Sequence, residues 1–272
     1  MTVTGFARIR ICCEDLFQAI NDYTRLLGVA PYWSGQYRWL EDSGRLLDYG
    51  AVAWFYLENT RIELYDSSRE NAGQGISGVV LAVDDLSTVN KAEDMIATQC
   101  HYSDSNSSCV EDRLLCVPTE HEAFEVSLVA GEGHDDAALK TGDIARVDHL
   151  VLYSRDGDAC IERFGETGMG LRLALDKTVP EWGGRMLFFR TGKLTLEVIV
   201  PNESMSRPDF FWGIAYQTGL LDGCLKRLDE AGVAMSESRE GRKPGTRVAT
   251  VKSCDLGVPT LLIEPQVMST GD

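Results

Sequence analysis

Two residues stand where side chains can do chemistry together. His149 lies in Val147-Asp148-His149-Leu150-Val151-Leu152-Tyr153, an apolar, β-branched stretch that reads as a strand. Glu197 lies in Leu194-Thr195-Leu196-Glu197-Val198-Ile199-Val200, a later strand pattern of the same unit. An imidazole and a carboxylate offered by two strands can ligate a divalent ion, or can simply hydrogen-bond to one another. The chain then repeats the strand–helix–strands plan and ends it on Thr260-Leu261-Leu262-Ile263-Glu264, with a second carboxylate.

The elements that must hold these residues form four units. The first opens with the alternating strand Ala7–Cys12. A helix follows from Asp15, a candidate N-cap, to Gly28, a candidate C′ residue, with Leu16, Phe17, Ile20, Tyr23, Leu26 and Leu27 at helical spacing. Strands are expected at Ala51–Leu57 and Thr60–Tyr65. The second unit starts at Gly78–Val83. Its helix is expected from Asp84, with Leu86, Val89, Ala92, Met95 and Ile96 on one face, and its strands at Arg113–Val117 and Ala123–Val129. The third unit contains His149, a helix over Asp156–Thr167, and strands at Arg185–Arg190 and Lys193–Val200. The fourth has a strand at Trp212–Gln217, a helix that stops at Gly232, and strands at Thr246–Val251 and Pro259–Glu264.

The units fall into two pairs. Arg8 matches His149, Glu63 matches Glu197, Gly78 matches Gly213 and Glu125 matches Glu264, at nearly constant spacing. This reads as tandem duplication of a two-unit domain. Gly131-Glu132-Gly133-His134-Asp135-Asp136 is small, polar and without apolar period, so the boundary is placed between Gly131 and Asp143 as an exposed connector. The expected domains are 1–131 and 144–272.

A βαβββ unit used in pairs, with His on a first strand and Glu on a last, resembles the vicinal oxygen chelate superfamily, which includes glyoxalase I, extradiol dioxygenases, methylmalonyl-CoA epimerase and the bleomycin resistance proteins. The stretch from Phe188-Phe189-Arg190 to Glu197 and the ending Val258–Pro265 look most like members of it. The resemblance implies an α+β fold of four βαβββ units paired into two half-open barrel domains. It implies inward ligand positions at His149, Glu197, Gly213 and Glu264. Glycine supplies no ligand, so the implied metal set is His149, Glu197 and Glu264, with Glu197 and Glu264 also the catalytic candidates. Such a set suits Fe, Mn, Ni or Zn with open positions for substrate oxygens. The implied activity is that of a metal-assisted lyase, isomerase or ring-cleaving dioxygenase on a small oxygenated compound, aromatic ones included. The alternative is a non-catalytic protein that binds or sequesters a small molecule.

Strand alternation refines this expectation. Val151 and Tyr153 should share the face of His149. Ala215 and Gln217 should share that of Gly213, where the glycine leaves room that Gln217 or a substrate oxygen can use. Trp182, Phe188, Phe189, Phe210, Phe211 and Trp212 cluster in sequence with Arg185, Arg190, Lys243 and Arg247. Gln217, Tyr153, Trp182, Arg185, Trp212 and Arg247 are therefore the substrate-binding candidates. In the first half arginine replaces the histidine and cannot ligate a metal. Arg8 is expected to pair with Glu63 and Glu125, with Arg10 next on the same face.

Composition narrows the rest. Of 272 residues 44% are apolar, as in a globular chain, and the net charge is −16, which disfavours nucleic acid as a partner. No apolar run suits a membrane span and no leader is visible, so a cytoplasmic protein is expected, with a small-molecule substrate and a homodimer as the state to test. The eight cysteines lack a C-x-x-C pair and read as reduced, mostly buried thiols. Gly241–Arg247 lacks the ending of a phosphate loop, so no nucleotide cofactor is expected. His101, His121 and His134 read as surface residues in loops.

Overall fold

The computed structural model describes residues 2–69, 73–88, 95–105, 109–117, 124–131, 142–253 and 257–265. The first half contains β1 (Val3–Cys12), α1 (Leu16–Leu27), β2 (Trp33–Glu41), β3 (Leu46–Leu57) and β4 (Thr60–Tyr65). It continues with β5 (Gly75–Val83), a short 3-10 turn at Leu86–Thr88, β6 (Ile96–Ser103), β7 (Cys109–Val117) and β8 (Glu125–Ala130). The second half contains β9 (Ile144–Tyr153), α2 (Gly157–Phe164), β10 (Arg172–Val179), β11 (Gly184–Thr191) and β12 (Leu194–Pro201). It ends with β13 (Phe210–Thr218), α3 (Leu221–Glu230), β14 (Arg239–Glu240), β15 (Arg247–Thr250) and β16 (Thr260–Glu264).

Each half is one eight-stranded sheet, so the α+β plan of paired units stands. The second is open, in the order β10-β11-β12-β9-β13-β16-β15-β14. The first closes into a barrel, because β2 pairs with β6 over Gln36–Glu41 and Thr98–Ser103. Within each half the first strands of the two units lie antiparallel, and each lies parallel to the last strand of its own unit.

The helices form where local chemistry ends the strands. Asp15 caps α1 by accepting from the Gln18 amide, and Gly28 closes it in the left-handed region at φ 71°. Ala19, Tyr23, Leu26 and Leu27 are buried on its inner face, whereas Phe17 points to solvent at 76% exposure, outside the face expected of it. Asp156 caps α2 through the amides of Asp158 and Ala159. In the second unit the expected helix is seen only as the turn at Leu86–Thr88; residues 89–94 lie outside the description, and Ile96 opens a strand instead. Most of the expected Gly131–Asp143 connector also lies outside the described residues.

The buried faces of α1, α2 and α3 join one apolar cluster that runs through both halves, from Phe6 and Ile9 to Tyr216 and Leu262. Phe124 of the first half meets Phe211 of the second at 4.7 Å between ring centroids. Asn59, in the β3–β4 turn, donates to the Val147 carbonyl at 2.8 Å and accepts from the Val147 amide at 3.1 Å. This places a first-half side chain against β9, two residues before His149.

Candidate functional site

Alternation along the second sheet, reset on β9 by a bulge at Asp148, sorts its residues into a core face and a concave face. On β9, Val147, Leu150 and Leu152 belong to the shared core; on β12, Leu194, Leu196 and Val198 do. His149, Val151, Glu197 and Ile199 therefore face the other way. Val151 stands opposite Glu197, and His149 opposite Thr195, so the imidazole and the carboxylate are diagonal neighbours. Phe188 and Met186 on β11 continue the face beside Glu197 and Ile199. Val151, Val179, Met186 and Ile199 form a separate apolar cluster, with Tyr153 and Trp182 packed against it.

The polar end of this face is ordered. His149 Nδ1 lies 2.9 Å from Asp148 Oδ2, and Nε2 lies 3.6 Å from Glu197 Oε2. The second distance is too long for a direct hydrogen bond, yet one oxygen placed between the groups could reach both. Burial would raise the Asp148 carboxyl, but its hydrogen bond to His149 and the nearby Arg146 and Lys243 outweigh this and hold its pKa below the ordinary value. An ionised Asp148 only accepts, so it keeps the proton of His149 on Nδ1 and, in the neutral ring, leaves Nε2 a lone pair. Burial pushes the Glu197 carboxyl up; His149 and Arg242 pull against that, and the Asp148 charge adds to it. A carboxyl raised in this way is suited to exchanging protons nearer neutrality.

Of the expected substrate contacts, three line this face and one lies at its rim. Tyr153 stacks on Phe210 with centroids 5.6 Å apart. Gln217 accepts from Arg146 Nε at 2.8 Å. Trp182 packs on the apolar cluster, with the Arg242 guanidinium carbon 5.3 Å from its ring centroid. Trp212 meets Tyr153 edge-on at 6.0 Å and is 46% exposed.

The remaining two, Arg185 and Arg247, and the expected ligand Glu264 are elsewhere. Arg185 sits on the helix side of β11, bound to Asp158 at the start of α2 and to Asp176. Arg247 sits on the helix side of β15, bound to Asp222 at the start of α3. Glu264 pairs with Arg247 at 3.3 Å. It shares the face of Leu262, a core residue, so it projects away from His149 and Glu197. Both arginines instead join a helix start to the sheet. Phe189 and Phe211, expected near the pocket, are core residues.

No family model matches the chain, and no curated protein does. Solved structures do. A triple mutant of 4-hydroxymandelate synthase from Streptomyces coelicolor superposes with a TM-score of 0.65, at 13% identity, covering 99% of this chain and 95% of that one. A xylose isomerase-like TIM barrel/4-hydroxyphenylpyruvate dioxygenase fusion protein superposes at 0.62 and 14% identity, over 100% of this chain and 50% of its own. The chain has the vicinal oxygen chelate fold.

With the fold in hand, the four inward positions of the second half can be compared with those of the first. Gly78 faces Glu125 across β5 and β8, and a Cβ on Gly78 would lie 2.5 Å from the Glu125 carbonyl oxygen. The same construction on Gly213 meets the Pro259 carbonyl oxygen at 2.9 Å, and the Ile214 amide donates to that oxygen. Pro259, not Glu264, is thus the counterpart of Glu125. Gly213 is small because a backbone approaches it, and the room expected there for Gln217 or a substrate oxygen is taken up by that backbone. Among the described residues no three His, Cys, Asp or Glu side chains converge as a metal-binding group. Of the three expected ligands, His149 and Glu197 approach one another and Glu264 does not join them.

The interior of the first half holds a charge network set among buried aromatic side chains, Trp39, Trp54 and Tyr102 among them. Arg8 and Glu63 are fully buried. Arg10 Nε lies 2.8 Å from Glu63 Oε1, and Arg8 Nη1 lies 3.6 Å from Glu63 Oε2. Arg8 also pairs with Asp112 and donates to the Tyr102 hydroxyl at 2.7 Å. Glu125, expected as a partner of Arg8, is held by Arg10 and Arg69 instead. The register explains this: Arg10, not Arg8, is the residue opposite both Glu63 and Gly78.

Sequence reasoning overlooked Asp148, Arg146 and Arg242. Asp148 carried a signal, since a second polar residue beside His149 breaks strict alternation. His101 stands on β6 rather than in a loop and lies 3.0 Å from Glu111, while His121 and His134 lie outside the described residues.

Proposed function

We propose that this protein binds a small oxygenated compound with an aromatic or apolar body on the concave face of its second half, and moves a proton on it with His149 and Glu197. The observation that carries the reading is the 3.6 Å gap between His149 Nε2 and Glu197 Oε2, beside an apolar wall of Val151, Met186 and Ile199. An oxygen of the ligand fits between the two groups, and the apolar wall takes its body. Glu197, raised by burial, accepts a proton from an adjacent acidic carbon, and the imidazolium form of His149, held through Nδ1 by Asp148, donates from Nε2 to the oxygen that gains charge. This is the proton-moving part of an isomerase or lyase reaction.

The test is a thermal-shift screen of small carboxylic, keto and hydroxy acids, followed by deuterium uptake into any stabilising compound in heavy water. Uptake that is lost in Glu197→Gln supports the reading. Stabilisation with no uptake by the wild type points to a sequestering protein. No stabilisation by any class sinks both.

Metal-assisted chemistry, as lyase, isomerase or dioxygenase, is the second reading, favoured by the convergence of an imidazole and a carboxylate on the inner face of this fold. A divalent ion would draw its protein donors from His149 and Glu197. Elemental analysis of protein purified without chelators reads this directly: stoichiometric metal that disappears in His149→Ala supports it, and metal retained in that variant contradicts it.

A further inference from the structure

The two halves differ at one seam. In the first sheet β2 and β6 pair and the barrel closes. The strands in the corresponding places of the second sheet, β10 and β14, are its two edges among the described residues. Trp182 lies in the 3-10 turn that joins β10 to β11. Arg242 lies in the turn that joins β14 to β15. The 5.3 Å contact between the Arg242 guanidinium and the Trp182 ring therefore spans the seam that hydrogen bonds close in the first half.

What lies near this contact gives it a use. Trp182 packs on the apolar cluster of Val151, Met186 and Ile199, which is the wall of the concave face. Arg242 is close enough for its charge to act on Glu197, and Lys243 acts on Asp148. Two exposed cations on one turn thus face the two acids of the floor. An anionic ligand approaching through the seam meets the cations before it meets the acids. A single cation–π contact at an exposed site is weak, so the closure is reversible.

We propose that Arg242 and Trp182 form a clasp over the concave face, and that Arg242 is the residue that selects an anionic, aromatic-bodied ligand. This rests on reading the concave face as the ligand site. When the clasp opens, the guanidinium exchanges the ring for the anionic group of the ligand, while Trp182 stays with the aromatic body. The acids on the floor would otherwise repel such a ligand, so Arg242 decides between charged and neutral compounds of the same shape.

Two fluorescent probes with one aromatic body test this on the full chain: anilinonaphthalene sulfonate, which is anionic, and phenylnaphthylamine, which is neutral. Arg242→Ala should weaken the sulfonate about tenfold, as loss of a charge-assisted contact does, and leave the neutral probe within about twofold. Trp182→Leu should speed association of both probes about threefold, because the clasp no longer forms. Glu197→Gln reports location: removing a floor charge should tighten the sulfonate alone. If Glu197→Gln tightens the sulfonate and Arg242→Ala leaves it unchanged, the clasp is wrong and the ligand site stands. If neither probe binds, or Glu197→Gln alters neither, the ligand site is wrong and the clasp falls with it. Equal weakening of both probes by Arg242→Ala would also overturn the charge selection.

Discussion

At the scale of single residues, the two halves use the same inward positions for opposite ends. Arg8 replaces His149 and fills the first interior with a guanidinium that neutralises Glu63 and Asp112. Removing one member of a buried ion pair leaves the other uncompensated, which costs about 3–5 kcal/mol. Arg8→Ala should lower stability in chemical denaturation by that order; a change within about 0.5 kcal/mol, the scale of a surface substitution, would show that the network is not what holds this interior. Glu197 behaves in the reverse sense. Its folded pKa lies above the unfolded one, chiefly through burial, so the folded state holds more protons between the two values. Stability therefore rises as pH falls through that window, and the penalty is complete above the folded pKa. Glu197→Gln should melt higher than wild type at mildly alkaline pH, with the gap closing toward acid. A gap that does not vary with pH would show that Glu197 is not strained by burial.

At the scale of elements, the strand that carries His149 is positioned by the other half of the molecule. Asn59 grips both backbone groups of Val147 and reaches the Lys193 carbonyl at 3.3 Å, so it ties β9 to the start of β12. It acts as a short length of strand would. Asn59→Ala leaves those groups without their partners, at a cost of about 1–3 kcal/mol. It should also broaden the backbone amide signals of residues 147–149 in an NMR spectrum. Unchanged signals there would mean that β9 is held by its own sheet alone. The strands with strong apolar runs were legible in the sequence, and so were α1, its cap at Asp15 and its stop at Gly28. The strands β2 and β10 were not. Ser34-Gly35-Gln36-Tyr37-Arg38 and Arg172-Leu173-Ala174-Leu175-Asp176-Lys177 mix polar and apolar residues too evenly for a propensity reading to find them. The face of Glu264 was illegible for another reason. Leu261, Leu262 and Ile263 are three apolar residues in a row, and such a run carries no period-two signal from which to assign a side.

At the scale of the whole molecule, duplication was legible because the matched residues recur at steady spacing, and it led to the fold. Closure of one sheet and opening of the other was not, because it depends on whether edge strands meet. The halves share one apolar core, and Arg227 of α3 donates to the carbonyls of Arg25 and Leu26 at the end of α1. The chain should therefore unfold in a single transition, with far-ultraviolet circular dichroism and tryptophan fluorescence coinciding; two separated transitions would mean that each half stands alone. In this architecture the closed barrel braces the open sheet, and the open sheet presents the proposed site. The most direct test of that assignment is a histidine-selective NMR spectrum of the protein with a stabilising ligand added. The chain has four histidines, and His149→Ala identifies the signal of interest. The ligand should move the His149 signal and leave those of His101, His121 and His134 in place. A ligand that stabilises the protein while His149 stays unmoved would place the site elsewhere and contradict it.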